Sequence, residues 1–248
     1  MPSNWRYLGL IQAILPNAKI VDVTGGASDG AFTLVGDYDF EGSPPVITGA
    51  YGYRLFQGGV ATPTDGDRYL RSALLDGPDE PAGPLYQPGA PLYESYAQVL
   101  RALNDLPTLQ ERIGNRRWAA APAGEAPALW GRIEGSRIDL KPRLSTTSAD
   151  TELASWKVQI GFDQVVSDGE DSTVIAGLTA HYADGNADVS SVFGNGSIDT
   201  SAYGFGATLT WFGPDGLYAD AQGQFTWFDS DVESDALGAL TDGNGGKG

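Results

Sequence analysis

The side chains that most often carry out catalysis are scarce in this chain. It contains one histidine, His181, no cysteine, and 32 aspartates and glutamates. A lone histidine without cysteine gives no support to a zinc site or to a cysteine–histidine pair. Carboxylate pairs arise by chance among so many acidic residues, so no pair indicates glycoside hydrolysis. We therefore expect no enzyme: no catalytic residue, no cofactor and no metal site.

Two short motifs resemble ligand loops, but each lacks a defining feature. Asp229–Glu233 has alternate acidic residues without the glycine and the bidentate glutamate of a calcium loop. Tyr203–Gly206 carries two glycines, but no helix follows them to hold a phosphate. A net charge of −17 opposes binding to nucleic acid. The remaining candidate for function is a binding surface of apolar side chains, and its form depends on which predicted strands carry those side chains.

Four runs of alternating apolar and polar residues lie between Ser155 and Phe228. Because successive side chains of a strand point to opposite faces, each run predicts a strand with one apolar and one polar face. Aromatic residues gather near the ends of the runs, as they do in the girdles of an outer-membrane barrel. The runs are Ser155–Val166, Thr173–Ala183, Ser201–Phe212 and Gly216–Phe228. The residues predicted to face lipid are Trp156, Val158, Ile160, Phe162, Leu178, Tyr203, Phe205, Leu209 and Trp211.

The connections between these runs alternate in length, which also favours a membrane barrel over a soluble sandwich. Ile138–Ala154 and Asp184–Thr200 are expected to be long loops, and Ser167–Ser172 and Gly213–Gly216 short turns. A further strand is predicted at Leu129–Arg137, whereas Asp229–Gly248 is read as an acidic loop. About five barrel strands result, and the smallest membrane barrels need about 8. The sequence is therefore expected to be an internal fragment of a longer protein.

A helix is predicted before the first barrel strand. Apolar residues at three- and four-residue spacing indicate a helix over Tyr93–Asp105, which Pro107 should end. Thr108 and Glu111 form a capping box that could begin a second helical segment. The apolar face of the first helix is formed by Tyr93, Tyr96, Val99, Leu100 and Leu103.

The N-terminal part of the chain consists of short β runs separated by glycine, asparagine and aspartate. Their lengths favour a β-solenoid with stacked rungs, with a small sandwich as the alternative. The start of the chain shows no signal-peptide pattern, and no apolar run is long enough for a transmembrane helix. The clearest runs are Lys19–Val23, Ala31–Tyr38, Val46–Leu55 and Tyr69–Leu74.

A series of motifs in a fixed order resembles the autotransporter family of type V secretion. Gly49–Leu55 and Arg68–Ser72 resemble the end of a pertactin-like passenger. Further along, the similarity takes in Pro84–Tyr93, Thr108–Gly114 and Leu129–Arg132, so that it covers most of the chain after about Phe32. Each motif alone is weakly specific, and the specificity lies in their order.

This resemblance implies an all-β chain in three parts. Residues 1–75 would be the C-terminal β-solenoid of a passenger with an autochaperone-like role, and residues 76–127 a linker whose helix threads the barrel pore. Residues 128–248 would be the first antiparallel strands of an incomplete outer-membrane barrel. Some members of the family cleave their passenger at an asparagine pair in this helix. Here Asn104-Asp105 departs from that pattern and is assigned a capping role instead.

The function implied by the resemblance is anchoring in the outer membrane and export of the chain's own passenger, displayed at the cell surface or secreted. Its partners would be outer-membrane lipid, periplasmic chaperones and the barrel-assembly machinery. A soluble secreted β-solenoid adhesin or polysaccharide-active module is the alternative. The activity of the passenger, its ligand and its release are not encoded in the residues at hand.

Overall fold

The computed structural model describes residues 17–28, 30–72, 83–113 and 128–247, with side chains described as far as residue 241. Strands account for most of the regular structure in these ranges, which confirms the all-β prediction. The first sixteen residues of the predicted passenger end lie outside the described part of the chain. So do residues 73–82 and residues 114–127, which cover much of the predicted linker.

The first sheet is small and antiparallel. It contains β1 (Ala18–Val21), β2 (Val46–Thr48), β3 (Tyr51–Gln57) and β4 (Arg68–Arg71), in the order β1-β4-β3-β2. The predicted solenoid is not present among these residues, because stacked rungs would pair in parallel and all three pairs here are antiparallel.

Two of the predicted N-terminal strands also differ from the structure. Ala31–Tyr38 forms no strand. The predicted run Val46–Leu55 is divided into β2 and β3 by a tight turn at Gly49, whose φ of 60° suits glycine.

The second sheet is a meander in which every strand pairs with its neighbours in sequence, always antiparallel. It has six strands where about five were predicted. The additional strand, β10, lies in the segment that was interpreted as an acidic loop. The six strands are β5 (Ala128–Leu140), β6 (Asp150–Asp168), β7 (Thr173–Ser190), β8 (Gly196–Phe212), β9 (Tyr218–Ser234) and β10 (Gly238–Lys247).

The predicted alternation of long and short loops is wrong, because the strands continue well beyond the predicted runs. The predicted loop over Asp184–Thr200 shrinks to residues 191–195, since β7 and β8 extend into it from both sides. The predicted loop over Ile138–Ala154 shrinks in the same way to residues 141–149. At the opposite end of the sheet, the turns over 169–172 and 213–217 are short, as expected.

Two helices lie between the two sheets in sequence. α1 (Ala90–Leu103) packs against β6, β7, β8 and β9, and α2 (Leu109–Ile113) follows it after a break that contains Pro107. α1 begins three residues earlier than predicted, because Pro91 stands in its first turn, where its fixed φ suits a helix. Among the described residues, no helix is both long and apolar enough to cross a membrane.

Candidate functional site: the helix-bearing face of the second sheet

The second sheet has two faces of different composition. We call the face that contacts α1 the inner face and the opposite one the outer face. Along β6 and β7 the odd-numbered residues lie on the inner face, and along β8 and β9 the even-numbered ones do, because directly paired residues share a face. The inner face is mostly buried, whereas the outer face is mostly exposed.

α1 is attached to the inner face by one apolar core. Leu92, Val99 and Leu103 of the helix are almost fully buried, and Tyr96 and Leu100 pack at the edge of the same core. Gly185 of β7 allows close approach, since a Cβ atom there would lie 3.1 Å from Cδ2 of Leu103. The core residues outside the helix are Ala149, Leu153, Ala183, Ala187, Val189, Ile198, Ala202, Phe228 and Val232.

Polar contacts fix the first half of α1. The Glu94 carboxylate accepts hydrogen bonds from the backbone amides of Thr146 (2.8 Å) and Thr147 (3.0 Å). Partial burial acts to raise the pKa of Glu94, but hydrogen bonds from the Thr147 hydroxyl and from these two amides outweigh it and hold the pKa below its ordinary value. The Thr151 hydroxyl donates to Ser95 at 2.8 Å within the buried interface. The helix is therefore held in one register against the sheet and the loop before β6.

The C-terminal end of α1 is bound by a lysine from the sheet. The Lys157 ammonium group donates to the backbone carbonyls of Asp105 (2.7 Å) and Leu103 (3.4 Å). Carbonyls at a helix C-terminus lack partners within the helix and carry partial negative charge, so a cation is stabilising there. Lys157 is 7% exposed and belongs to the inner face of β6.

Asn104 ends the helix and is held by β9. Its Oδ1 atom accepts hydrogen bonds from Nε2 of Gln224 (2.7 Å) and from the Thr226 hydroxyl (2.5 Å). Gln224 also donates to the backbone carbonyl of Asn104 at 2.8 Å. His181 is buried on the inner face, with its Nε2 atom 3.1 Å from Oγ1 of Thr226. The arrangement anchors the chain at this point.

A buried arginine anchors α2 further along the same face. Nη2 of Arg112 donates to Asp220 at 2.5 Å, and Nη1 donates to the Thr208 hydroxyl at 3.1 Å. The predicted capping box is confirmed: Glu111 accepts from the Thr108 amide at 2.7 Å, and the Glu111 amide donates to the Thr108 hydroxyl at 3.3 Å.

The residues predicted to face lipid all lie on the outer face. Leu178 and Phe205 are 66% and 63% exposed, and only Val158 and Trp211 are partly covered by their neighbours. Leu129 and Ile133 of β5 and Phe225 of β9 are further exposed apolar residues of this face.

The predicted helix residues are distributed differently from the expectation. Val99 and Leu103 are buried and Tyr96 and Leu100 are partly covered, but Tyr93 is 51% exposed and points away from the core. Leu92 occupies the buried position instead, because it lies on the same face of the helix as the buried residues Ser95, Val99 and Leu103. Sequence reasoning also missed Lys157 and Arg112, although a basic residue on a polar strand face or helix end is unusual in so acidic a chain.

No group of three or more histidine, cysteine, aspartate or glutamate side chains within the described ranges is arranged to hold a metal ion. The polar atoms of the inner face are instead used to bind the chain's own segment from Leu103 to Ile113. The arrangement is a sheet that holds a peptide segment on its polar face and presents an apolar face outward.

Comparison with known proteins assigns the class of this sheet. Residues 129–247 match the family model of the autotransporter β-domain, and this part of the chain belongs to that family. The whole chain is similar to the adhesin BmaC autotransporter of Brucella suis biovar 1 (strain 1330), with 47% identity over 253 residues that cover 95% of this chain. The chain spans only 7% of the length of that relative. No solved structure matches the chain.

Proposed function

We propose that the second sheet is part of the outer-membrane anchor of a secreted or surface-displayed passenger, and that the segment bound to its inner face joins that passenger to the anchor. The outer face contacts lipid. The inner face lines the path of the chain, which runs along it from α1 through Asn104 to α2. β5 then begins at the end of the sheet that carries the turns over 169–172 and 213–217. The first sheet is the passenger end closest to the anchor.

One observation carries this proposal: the outer face exposes apolar side chains while the inner face buries polar ones. A soluble protein places its apolar side chains inside and rarely exposes a large contiguous apolar patch. A transmembrane barrel has the opposite arrangement, with an apolar band outside and a polar interior. Leu178, Phe205 and Leu209 outside, against Gln159, Thr208 and Thr226 inside, follow the barrel arrangement.

The path of the chain supports the same proposal. Pro88 lies beside Gly194, in the loop between β7 and β8, and Arg112 lies beside Thr210 near the opposite end of β8. The segment between them therefore runs along the length of the sheet from one end to the other. A chain that leaves a pore at one end and returns to the sheet at the other has this course.

The relative's name describes an adhesin, which favours an adhesive passenger and a non-enzymatic role for the complete protein. Periplasmic chaperones and the barrel-assembly machinery are the partners that a barrel of this kind would need, because its apolar face must be shielded before insertion. A soluble secreted adhesin or polysaccharide-active module remains the competing function, and the exposed apolar face argues against it.

Two arginine substitutions on the same strand separate the two functions. Leu178→Arg and Asp188→Arg both alter exposed outer-face positions of β7, so a soluble protein should tolerate both. In a membrane anchor, an arginine on the lipid face costs about 2–4 kcal/mol at the midplane and about 0–1 kcal/mol near the interface. We expect Leu178→Arg in the complete protein to reduce the heat-modifiable folded form and surface display, and Asp188→Arg to leave both near the parent level. Equal assembly of the two variants would contradict the proposal.

A further inference from the structure

The polarity of both faces of the second sheet reverses at one row of aromatic residues. Tyr182, Tyr203 and Trp227 lie directly opposite one another on the outer face of β7, β8 and β9. The ring of Trp156 on β6 lies 5.4 Å from that of Tyr182, and the rings of Tyr203 and Trp227 stack at 5.6 Å. Aromatic side chains with a polar group are the residues that membrane barrels place at their interfaces.

On the side of this row that leads to the turns over 169–172 and 213–217, the strands have the length and the polarity of a membrane crossing. The segments 173–182, 203–212 and 218–227 each contain ten residues between the row and the turns, and a transmembrane strand needs about 9–11. Their outer face is apolar and their inner face polar. At the far end, Trp211 lies on the outer face of β8, eight residues from Tyr203, where a second aromatic girdle would stand.

Beyond the row, the same strands continue with the opposite polarity. We call this part the collar: residues 150–155, 183–190, 196–202 and 228–234. Its outer face is strongly acidic, and its inner face carries mainly apolar side chains together with the buried hydroxyls of Thr151, Thr200, Ser230 and Ser234. The acidic outer residues are Asp150, Glu152, Asp184, Asp188, Asp199, Asp229, Asp231 and Glu233. The apolar inner residues are Leu153, Ala183, Ala187, Val189, Ile198, Ala202, Phe228 and Val232.

Such a pattern fits water on the outside and a dry core on the inside. Carboxylates on the lipid side of a hydrocarbon layer are costly, and the outer face of the collar carries eight of them. The inner apolar residues of the collar, by contrast, form one buried core with α1. Every buried strand residue of this core belongs to the collar. The collar and α1 together resemble a small water-soluble domain built on top of a membrane sheet.

We infer that the hydrocarbon layer ends at the aromatic row, and that the collar stands in water at the outer surface and binds α1 there. The helix then lies outside the membrane plane rather than across the pore. Within the described residues, the segment that the polar inner face holds at membrane depth is 104–113, through Lys157, Gln224 and Arg112. This inference rests on the proposed membrane function and adds where the membrane boundary falls.

Single cysteines on the outer face test the boundary, since this chain contains no cysteine of its own. Asp188→Cys and Glu233→Cys lie six residues beyond the row on β7 and β9, and the matched variants Leu178→Cys and Ala221→Cys lie four and six residues on the other side. The complete protein, with any other cysteine replaced, is reconstituted in phosphatidylcholine nanodiscs. Folding is verified by the heat-modifiable band, and labelling by a charged maleimide is timed before and after denaturation in SDS.

We expect the two collar cysteines to react in the folded protein nearly as fast as in SDS. Leu178→Cys and Ala221→Cys should react about a hundredfold more slowly when folded, because the reactive thiolate is disfavoured in hydrocarbon. If all four cysteines are protected, the inference is wrong while the membrane function stands. If all four react quickly, the membrane function itself fails. Should either collar variant fold poorly, Ser190→Cys is a near-isosteric substitute that keeps the acidic residues.

Discussion

The two sheets of this chain use opposite means of stability. The first sheet buries charged groups: Arg54, Asp67 and Arg68 are each less than a tenth exposed. Lys19 donates to Asp67 at 3.1 Å, and the guanidinium group of Arg71 lies 4.8 Å from the ring centre of Phe56. The second sheet is connected to α1 by an apolar core and exposes leucine and phenylalanine on its outer face.

The difference indicates the surroundings for which each sheet is suited. Contact with water limits the cost of desolvating an ion pair, and the Lys19 side chain that pairs with Asp67 in the first sheet is 44% exposed. On the proposed function, the second sheet meets water at its collar and lipid on the other side of the aromatic row. Alternation alone does not distinguish these cases, since both sheets consist of antiparallel strands. A sheet in water and a sheet in an apolar medium are distinguished by whether the apolar or the polar side chains of each strand are buried.

A short segment joins the two sheets. The backbone amide of Gly52 in β3 donates to the carbonyl of Leu85 at 2.9 Å, which attaches the segment to the first sheet. The ring of Tyr86 stacks on Tyr51 at 5.2 Å and contacts the edge of Phe193, in the loop between β7 and β8, at 5.3 Å. The first sheet is therefore docked on the same end of the second sheet at which α1 begins.

Removal of apolar surface from α1 should give the largest effect on the second sheet. Leu92→Ala deletes a fully buried side chain and should destabilise helix docking by about 2–5 kcal/mol. Amide hydrogen exchange of residues 90–103 measures the loss as faster opening. Tyr93→Ala is the control, because Tyr93 is half exposed in the same turn and should cost far less. Equal protection in the two variants would show that the apolar core does not hold the helix.

Acid should weaken the first sheet selectively, with a smaller effect. Hydrogen bonds from the Val23 amide and the Lys19 side chain hold the pKa of Asp67 below its ordinary value of 3.8, and hydrogen bonds from Thr62 and Tyr69 do the same for Asp65. Folding therefore favours the deprotonated carboxylates. Their stabilising effect is complete above about pH 4 and is lost as the pH falls through the lowered values.

Amide exchange of β3 and β4, corrected for the intrinsic pH dependence, should thus show falling protection from pH 5 to pH 3. The strands at the centre of the second sheet should change little over the same range. Asp67→Asn is the matched variant, expected to lower protection at pH 5 and to reduce the further loss at pH 3. Protection of β3 and β4 that is independent of pH would contradict the assigned role of these carboxylates.

Much of the second sheet could be predicted from sequence, because period-two alternation is a local property. The centres of β6, β7, β8 and β9 and the composition of the outer face follow from it directly. The strand ends could not be predicted in the same way. Beyond Tyr182 the polar residues move to the outer face while small residues such as Ala183 and Ala187 take the inner one, and the sequence there reads as a glycine- and aspartate-rich loop.

Other elements depend on contacts that sequence does not show. β10 has no alternation, and it becomes a strand by pairing with β9. The first sheet was expected to be a solenoid because short β runs fit both architectures, and only the antiparallel pairing separates them. Lys157 and Arg112 acquire their roles from carbonyls and hydroxyls that are about fifty to a hundred residues away in sequence. The local capping box at Thr108 and Glu111 needed no such contact and was predicted correctly.

The central claim is that the outer face of the second sheet contacts lipid, and photo-crosslinking tests it directly. A photoreactive benzoylphenylalanine is placed at Leu209 on the outer face of β8, or at Gln222 on the inner face of β9, in the complete protein assembled in cells. Gln222 donates to the carbonyl of Pro107 at 2.9 Å and so marks the inner face. Irradiation should produce a lipid adduct at position 209 and an internal protein crosslink at position 222. A folded protein that forms no lipid adduct at position 209 would contradict the account.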